Sequence, residues 1–529
     1  MIQNINIQNY KAFEKAKIPL KPITILLGAN SVGKSSIIQL MLMLQQTGKA
    51  GLKSYKSPLK LYGGYVNLGD SINLFRNKKT DLPLKFGFEI KSSNLKEYLK
   101  DYLFKNYKRI FSDLPHFIPI KGFQSIKNKT IDNSQDFEDY IDAILEISTK
   151  EKTQKQYIQQ IDIMLNHRNI FKIPAAINRN TKKQLLANYK FLDSLSKLIK
   201  SELFDINFEL SHQDGILSTK LIELSHNNKI IVKLYIDEIG DTFLTSDIIK
   251  FEKNDVDQVL KFFDPRNTIF NSFNDEDIDI KEDNQTIISS TLIKIFRHFQ
   301  NEIKKEFIEE SINYVSPLRA HPKRYYMLDK AKLNLTLDTL DGDAIAEVIK
   351  DDSKIKLKVN NWFKKFGIQV NVEEFKEVIH HLKVKQNELD LDITDVGFGI
   401  SQVLPVIIQG FLSVDNSTTI IEQPEIHLHP KIQADLADLF IDIIKNSTGK
   451  KLIIETHSEY ILKRLRRRIS EGKIHPSQVA ICLIDPQLNG SGAVVNVLTI
   501  EEKGFFEWPV DFYGGDLYDD TVEFLKNQN

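Results

Sequence analysis

A glycine-rich segment at residues 28–35 constrains this chain more than any other feature. The pattern G-x-x-x-x-G-K-S/T is matched by Gly28, Ala29, Asn30, Ser31, Val32, Gly33, Lys34 and Ser35. An apolar run at residues 23–27 comes before it, and a helical pattern at residues 36–42 follows. Strand, loop and helix in this order are the context that a phosphate-binding P-loop needs. The sequence therefore predicts an α/β domain that binds ATP or GTP.

Each part of the predicted P-loop has its own role toward a nucleotide. The glycines leave backbone N–H groups free to surround phosphate oxygens. Lys34 is expected to reach the β- and γ-phosphates, and Ser35 is expected to ligate Mg²⁺. Ser36, at the start of the predicted helix, is expected to border the same site.

Composition limits the class of protein. At 529 residues, about three domains are expected. The 71 basic and 71 acidic residues cancel, so any nucleic-acid site must be a local patch. The single Cys482 excludes an internal disulfide and a cysteine-based zinc cluster. Without a long apolar run or a signal-peptide pattern, we expect a soluble, cytoplasmic protein with no membrane partner.

Changes in composition along the chain predict four segments. Residues 1–90 carry strand patterns and the P-loop, and residues 311–500 alternate strand and helix patterns as an α/β core does. Residues 91–310 read as an α+β insertion, largely helical and then strand-containing, and residues 501–529 read as a short C-terminal appendage. The predicted fold is an α/β head, a mixed sheet with flanking helices, that the insertion interrupts. The insertion is too weakly heptad-patterned for the long coiled coil of a chromosome-organising ATPase.

Two apolar runs late in the chain end in residues that suit a nucleotide site. Residues 418–421 form the first run, and Glu422 at its end is placed as a Walker B acid that faces Mg²⁺. Residues 452–454 form the second run, and His457 follows it closely.

A glycine-containing segment at residues 395–402, here called the signature segment, is a further candidate. Its Gly397, Gly399 and Ser401 lead into a helix that is predicted to begin at Gln402. Free N–H groups and the helix dipole at such a start point at an anion. The alternative is a plain helix start that happens to contain glycine.

These segments resemble the motifs of ABC-type ATPase heads in the overcoming-lysogenization-defect and RecF groups. Residues 422–430 resemble the Asp-Glu-Pro-Glu-x-x-Leu-His-Pro stretch of those proteins, and residues 452–458 resemble their switch strand, in which His457 would sense the γ-phosphate. The signature segment lies at the place in the chain where such proteins carry the ABC signature. In that family the signature contacts the γ-phosphate of a nucleotide bound on a second subunit. The resemblance implies ATP and Mg²⁺ as ligands, and an ATP-dependent homodimer or a larger even-numbered assembly.

The sequence departs from the family pattern at the catalytic step. Glu422 stands in place of the usual Asp, and Gln423 replaces the usual general-base Glu. A neutral amide cannot accept a proton, although it can orient a water. Glu425 and His457 are the candidates to assist ATP hydrolysis. Two alternatives stay open: a slow ATPase or ATP-gated clamp, and an enzyme with normal turnover.

A narrower resemblance links both ends of the chain to one subgroup. Residues 314–319 and 324–326 look like its Pro-Leu-Arg segment, and the tail with Gly504 and Trp508 looks like its short appended domain. Subgroup members include the ATPase subunit of Septu-type anti-phage systems, which works with an HNH nuclease. A nuclease partner is therefore expected, and no nuclease domain is expected in this chain. A RecF-like DNA clamp and a non-hydrolysing scaffold are the alternatives.

The densest positive run of the chain is a candidate nucleic-acid site. Five cations are found within six residues, namely Lys463, Arg464, Arg466, Arg467 and Arg468. Such a run on one helix can contact DNA or RNA phosphates. The alternative is a solvated or salt-bridged helix face.

Overall fold

The computed structural model describes most of the chain. It covers residues 1–30, 32–50, 56–117, 131–147, 179–273, 286–308, 311–319, 321–327, 342–376, 379–386, 389–487 and 492–508. Ser31 of the predicted P-loop and residues 509–529 of the predicted appendage lie outside these ranges. The chain divides into two compact units: unit 1 is Met1–Asn9 with Gln46–Lys305, and unit 2 is Tyr10–Gln45 with Glu306–Asn529.

The described residues form strands and helices in the following order. The strands are β1 (Ile2–Tyr10), β2 (Phe13–Pro19), β3 (Ile23–Leu27), β4 (Leu84–Lys91), β5 (Leu203–Gln213), β6 (Ile216–His226), β7 (Lys229–Ile236), β8 (Thr242–Thr245), β9 (Ile312–Val315), β10 (Tyr326–Met327), β11 (Ile368–Lys376), β12 (Ile379–Gln386), β13 (Leu389–Asp392), β14 (Thr418–Glu422), β15 (Lys451–Glu455), β16 (Val479–Pro486) and β17 (Ala493–Leu498). The α-helices are α1 (Lys34–Gly48), α2 (Ser93–Glu97), α3 (Leu103–Phe117), α4 (Ser134–Ile147), α5 (Arg179–Leu198), α6 (Lys253–Leu260), α7 (Ile287–Lys305), α8 (Gly342–Asp351), α9 (Ser353–Phe363), α10 (Phe398–Leu412), α11 (Pro430–Lys445) and α12 (Glu459–Ser470). A π-helical turn spans Tyr98–Tyr102, and short 3₁₀ turns span Ser71–Leu74, Arg76–Lys78, Lys364–Phe366 and Pro476–Gln478.

Unit 1 contains an antiparallel sheet in the order β8–β7–β6–β5–β4–β1. Strand β5 shows why the sequence forms it. Phe204, Ile206, Phe208 and Leu210 are all buried, and the residues between them are partly exposed. A period of two places these side chains on one face of the sheet, so burial of that face fixes the register.

Aromatic side chains hold helices α3, α4 and α5 of unit 1 together. Phe137 stacks on Tyr189 at 4.5 Å between ring centroids, and Phe111 meets Phe137 edge to face at 4.9 Å. Tyr107 is fully buried, and its hydroxyl donates to the carbonyl of Leu185 at 2.9 Å. Large buried rings with a satisfied hydroxyl contribute strongly to such a core.

The compact units do not follow the predicted segment boundaries. Residues 46–90, which the sequence patterns group with the head, belong to unit 1 together with most of the predicted insertion. Strand β4, which lies in this stretch, pairs with β5 along its whole length. The division at residues 91 and 310 stays a prediction about domains.

Unit 2 contains a mixed sheet in the order β2–β17–β16–β3–β15–β14–β9. Strands β16, β3, β15, β14 and β9 run parallel, whereas β17 is antiparallel to β16. All five residues of β3 and of β15 are buried, as expected for central strands covered on both faces. Helix residues such as Leu404, Leu436 and Leu462 pack in the same core as these strands. The predicted α/β class, with a mixed sheet and flanking helices, is confirmed.

A smaller antiparallel sheet, β10 to β13, completes unit 2, with β12 paired to each of the other three strands. Trp362 and Phe363 of α9 belong to the same buried core as its Val370 and Val384.

Two further features belong to the chain as a whole. Cys482 lies in β16 and is fully buried, which raises the pKa of its thiol to about 12. Among the described residues, no helix combines the length and the apolar character that crossing a bilayer requires.

Candidate functional site

The predicted P-loop joins β3 to α1 in unit 2. Gly28 has a φ of 140°, and a Cβ there would lie 2.2 Å from the carbonyl oxygen of Ile484. Gly33 has a φ of 117°, and its Cβ would lie 3.0 Å from the ring of Phe13. Both positions therefore need glycine for backbone conformation and for space.

Lys34 is the first residue of α1, and it is only 3% exposed. Its Nζ donates to the carbonyls of Gly28 at 2.9 Å and of Ala29 at 2.7 Å. Glu455 Oε1 lies 3.8 Å from the same Nζ. Burial lowers the pKa of Lys34, and the charge of Glu455 opposes that shift. These contacts hold the ammonium group of Lys34 against the first two residues of the P-loop.

The structure also describes Ala29, Asn30, Val32 and Ser35 of the P-loop, together with Ser36. Ala29 and Asn30 follow the last residue of β3 closely, and Val32 lies beside Gly28, where its Cγ2 would be 3.1 Å from a Cβ added to that glycine. Ser35 is exposed at the start of α1, and the backbone N–H of Ser36 donates to the carbonyl of Gly33 at 3.0 Å.

Glu422 is the last residue of the predicted Walker B strand β14, and it pairs in register with Glu455 at the end of β15. The hydroxyl of Tyr314 donates to Glu422 Oε1 at 2.6 Å. Burial raises the pKa of Glu422. Burial, followed by the charge of Glu422, raises the pKa of Glu455 to about 7. Glu422 and Glu455 therefore lie side by side, and Glu455 is the one that lies 3.8 Å from Lys34.

The sequence alone does not single out Glu455 as a site residue. Its position becomes meaningful only because β15 lies between β3 and β14. The available signal is an acid at the end of an apolar run, the same pattern that points to Glu422.

Glu425 and His457 meet through the backbone. Glu425 Oε1 accepts a hydrogen bond from the N–H of His457 at 2.6 Å. Burial raises the pKa of Glu425. Burial, followed by the charge of Lys34, lowers the pKa of His457. A neutral imidazole and a carboxyl of weakened acidity thus stand near the P-loop lysine.

Gln423 follows Glu422 in the chain and has an unusual backbone conformation. Its φ is 44°, and its N–H donates to the carbonyl of Glu455 at 2.7 Å. Such a left-handed conformation is uncommon for a residue with a side chain, and it marks a position that the surroundings hold in place.

The signature segment differs from its prediction in one respect: helix α10 begins at Phe398, not at Gln402. Gly397 is its N-cap, and Gly399 lies within its first turn. A Cβ at Gly399 would approach the carbonyl oxygen of His427 to 3.1 Å, so the glycine allows the helix to pack closely on the turn after β14. Ser401 and Gln402 are buried inside the helix.

Gly397 has a different environment from Gly399. It is exposed, its φ is −54°, and a Cβ there would meet no atom within 4 Å. Neither backbone conformation nor packing within the described chain explains a glycine at this position.

Arg319 joins the signature helix to the Walker B strand, a role that the sequence did not reveal. The side chain is only 6% exposed. It donates to the carbonyls of Gln402 at 3.2 Å, Glu422 at 2.8 Å and Gln423 at 3.2 Å. Burial lowers the pKa of Arg319 to about 10, and the charge of Glu425 opposes the shift.

The predicted nucleic-acid run lies on α12, where its cations are engaged within the chain. Arg464 and Arg468 both bind Asp438, and the guanidinium of Arg466 lies 5.4 Å from the ring of Phe505. The other two cations also have carboxylate partners, in the pairs Lys463–Glu459 and Arg467–Glu471. These contacts favour a salt-bridged helix face, and nucleic-acid binding by this run stays a prediction.

Comparison with known proteins gives the family. The sequence profile described as AAA ATPase domain matches residues 1–462, which include the P-loop, β14 and His457. The chain belongs to the AAA ATPase domain family. It is thus an ATPase, and the family in general depends on a nucleotide and Mg²⁺. The basic run on α12 begins immediately after the matched residues of this AAA ATPase.

Solved structures show distant likenesses to this AAA ATPase. The SMC head domain from Thermotoga maritima has 7% identity and a TM-score of 0.35, covering 94% of this chain and 99% of that one. An SMC head bound to the C-terminal winged-helix domain of ScpA has 10% identity and a TM-score of 0.35, covering 95% and 98%. An SMC head with an extended coiled coil, bound to the C-terminal domain of ScpA from Pyrococcus furiosus, has 10% identity and a TM-score of 0.32, covering 95% and 97%. No curated protein sequence matches the chain.

Proposed function

We propose that this AAA ATPase binds Mg²⁺ and ATP at the P-loop, hydrolyses ATP slowly, and uses the nucleotide to bring two copies together. The observation that carries the proposal is that Lys34, the first residue of α1, lies 3.8 Å from Glu455, which pairs in register with Glu422 of the adjacent strand. The glycines of the loop and the exposed Ser35 provide the phosphate and metal contacts that this motif supplies. The bound metal would offset phosphate charge.

Three further residues have roles in ATP hydrolysis. Gln423 orients the attacking water, because its amide can donate and accept hydrogen bonds without changing charge. Glu425, held by the N–H of His457 at 2.6 Å, is the carboxyl that assists hydrolysis, because the adjacent Glu422 is assigned to Mg²⁺. His457 contacts the γ-phosphate as a neutral donor.

Self-association is supported by the signature segment. The exposed Gly397, with open space around its Cβ position, lies at the N-terminus of a fifteen-residue helix. Helix N-termini attract anions, and the family resemblance assigns that anion to the γ-phosphate on a second subunit. We further propose, from the Septu-type resemblance alone, that the closed assembly controls a nuclease partner in anti-phage defence.

Steady-state ATP turnover with Mg²⁺ tests the catalytic proposal. We expect slow turnover that Lys34→Ala abolishes, because the variant loses the only P-loop lysine. We expect Gln423→Glu to raise kcat by at least about tenfold, because a positioned general base contributes that much or more. The melting temperature of each variant controls for folding.

Turnover that survives Lys34→Ala would contradict the P-loop assignment. No turnover in the wild type, with rescue by Gln423→Glu, would replace the slow enzyme by a non-hydrolysing ATP-gated scaffold. Gene neighbourhood tests the defence role separately: a nuclease gene beside this one supports it, whereas a recombination locus would favour the RecF-like clamp.

A further inference from the structure

Two carboxylates project from the same level of two neighbouring parallel strands. Glu422 ends β14 and Glu455 ends β15, and the two residues are register partners. Side chains at paired positions of adjacent strands lie on the same face of a sheet. Like charges placed opposite each other in this way are destabilising unless a cation lies between or beside them.

The described residues offset only part of the negative charge of Glu422 and Glu455. Lys34 lies 3.8 Å from Glu455 Oε1, and its hydrogen bonds go to two P-loop carbonyls instead. Tyr314 supplies one donor to Glu422 Oε1. Glu455 is 4% exposed, and its Oε2 accepts no hydrogen bond from a donor within the described ranges. A buried carboxylate oxygen without a donor requires an explanation.

A divalent cation whose coordination is completed by phosphate fits this arrangement. Within the described ranges, no three His, Cys, Asp or Glu side chains form a group that could hold a metal by themselves. Mg²⁺ does not need such a cage, because it is typically bound through one or two carboxylates, waters and substrate phosphates. The P-loop beside Glu455 is where those phosphates would lie.

We propose that Glu455, together with Glu422, is a second carboxylate of the Mg²⁺ site, so that metal binding removes the repulsion between the two acids. This inference rests on the proposed function, because the phosphates of ATP complete the site. Glu455 then has opposite effects in two conditions. With Mg²⁺ it strengthens nucleotide binding, and without a divalent cation its charge repels the triphosphate.

The test compares the wild type with Glu455→Gln, which keeps the shape of the side chain and removes its charge. Binding of ATP is measured calorimetrically in EDTA and in Mg²⁺, and Mn²⁺ binding to the ATP-loaded protein is measured by electron paramagnetic resonance. We expect the Kd for Mn²⁺ to rise at least about tenfold, in the range found for residues that support metal ligands. In EDTA we expect ATP to bind the variant more tightly than the wild type.

Three further variants make the test specific. Glu455→Asp keeps the charge and should recover part of the Mn²⁺ affinity. Glu459→Gln removes an acid of the following helix that pairs with Lys463 at 2.9 Å, and it should leave both measurements unchanged. Lys34→Ala should lose ATP in both conditions.

Two results would overturn the inference. One is an unchanged Kd for Mn²⁺ in a folded Glu455→Gln protein. The other is an equal loss of ATP affinity with and without Mg²⁺, which would show that Glu455 only positions Lys34. A wild-type protein that binds ATP no better than Lys34→Ala would instead refute the proposed function itself.

Discussion

At the scale of single residues, burial determines which charges this ATPase carries. The carboxyls of Glu425 and Glu455 and the amine of Lys34 are all shifted toward their neutral forms by loss of water. The same effect operates on a histidine of unit 1. His298 on α7 stacks on Tyr98, with ring centroids 3.6 Å apart and an interplanar angle of 4°.

His298 should make unit 1 sensitive to acid. Burial lowers its pKa to about 4, while nearby Glu302 opposes the shift and Lys305 adds to it. Between pH 6.5 and 4 the unfolded chain binds a proton that the folded chain does not, so stability falls as pH falls. This loss should be about 1 to 3 kcal/mol.

His298→Phe should remove that part of the acid sensitivity, because a ring that cannot be protonated remains against Tyr98. The midpoints of urea unfolding at about pH 7.5 and about pH 4.5 measure this change in acid sensitivity. The comparison requires that the slope of the free energy of unfolding against urea concentration is unchanged. The same substitution at His321, an exposed histidine, serves as the control. Wild type and His298→Phe with equal pH dependence would refute the assignment.

At the scale of secondary-structure elements, one arginine connects the two segments that should sense and cleave the nucleotide. Arg319 holds the backbone of α10 at Gln402 and the end of β14 at Glu422 and Gln423. A lysine carries the same charge but cannot donate in the fixed fork that reaches all three carbonyls. Arg319 is therefore expected to position Gln423 without touching the phosphates.

We predict that Arg319→Lys lowers kcat about tenfold while the Kd for ATP stays within about threefold, as expected when only the transition state is affected. Stopped-flow nucleotide binding and steady-state turnover provide the two values. Arg266→Lys is the matched control, because Arg266 of unit 1 is exposed and pairs with Asp264 at 3.9 Å. A proportional loss of ATP affinity and kcat would indicate a general folding defect.

The strands could be predicted better than their arrangement. Runs such as 23–27, which is largely apolar, and 418–422, which consists of β-branched residues before its final acid, indicate strands, and β3 and β14 occupy those residues. The predicted start of α10 is wrong by about one turn, because a glycine such as Gly399 usually weakens a helix. Here it is retained for its contact with His427, which lies far away in sequence.

Contacts between residues that are distant in sequence also limit what could be predicted of the nucleotide site. The P-loop could be read directly, since one short segment contains all of its parts. Glu455 and Arg319 could not be assigned roles, because both depend on strand order and on carbonyls of distant residues. Local sequence carries no information about which parallel strand will be the neighbour of another.

At the scale of the whole molecule, the exposed Gly397 makes self-association testable. We predict that Gly397→Leu leaves the Kd for ATP of the monomer, measured at dilute protein, unchanged but abolishes the dimer that forms with ATP and Mg²⁺. Among the described residues of one copy the added side chain meets open space, so it should interfere only with an approaching second copy. Sedimentation velocity with and without ATP measures the dimer.

Gly64→Leu is the control for this experiment. Gly64 also has no atom within 4 Å of its Cβ position, and it lies in unit 1. It should dimerise as the wild type does. A Gly397→Leu protein that still dimerises with ATP would exclude the signature segment from the interface, and a wild type that stays monomeric would refute the proposed assembly.

The burial of Cys482 also makes the protein convenient for labelling. The chain has no other thiol, and a protonated sulfur inside β16 reacts poorly with maleimides. A dye attached to Gly64→Cys would therefore be the single attached label on an otherwise native chain, at a position where added bulk should leave the dimer intact. The anisotropy of its emission would follow the association of two copies in real time, without any prior removal of natural cysteines.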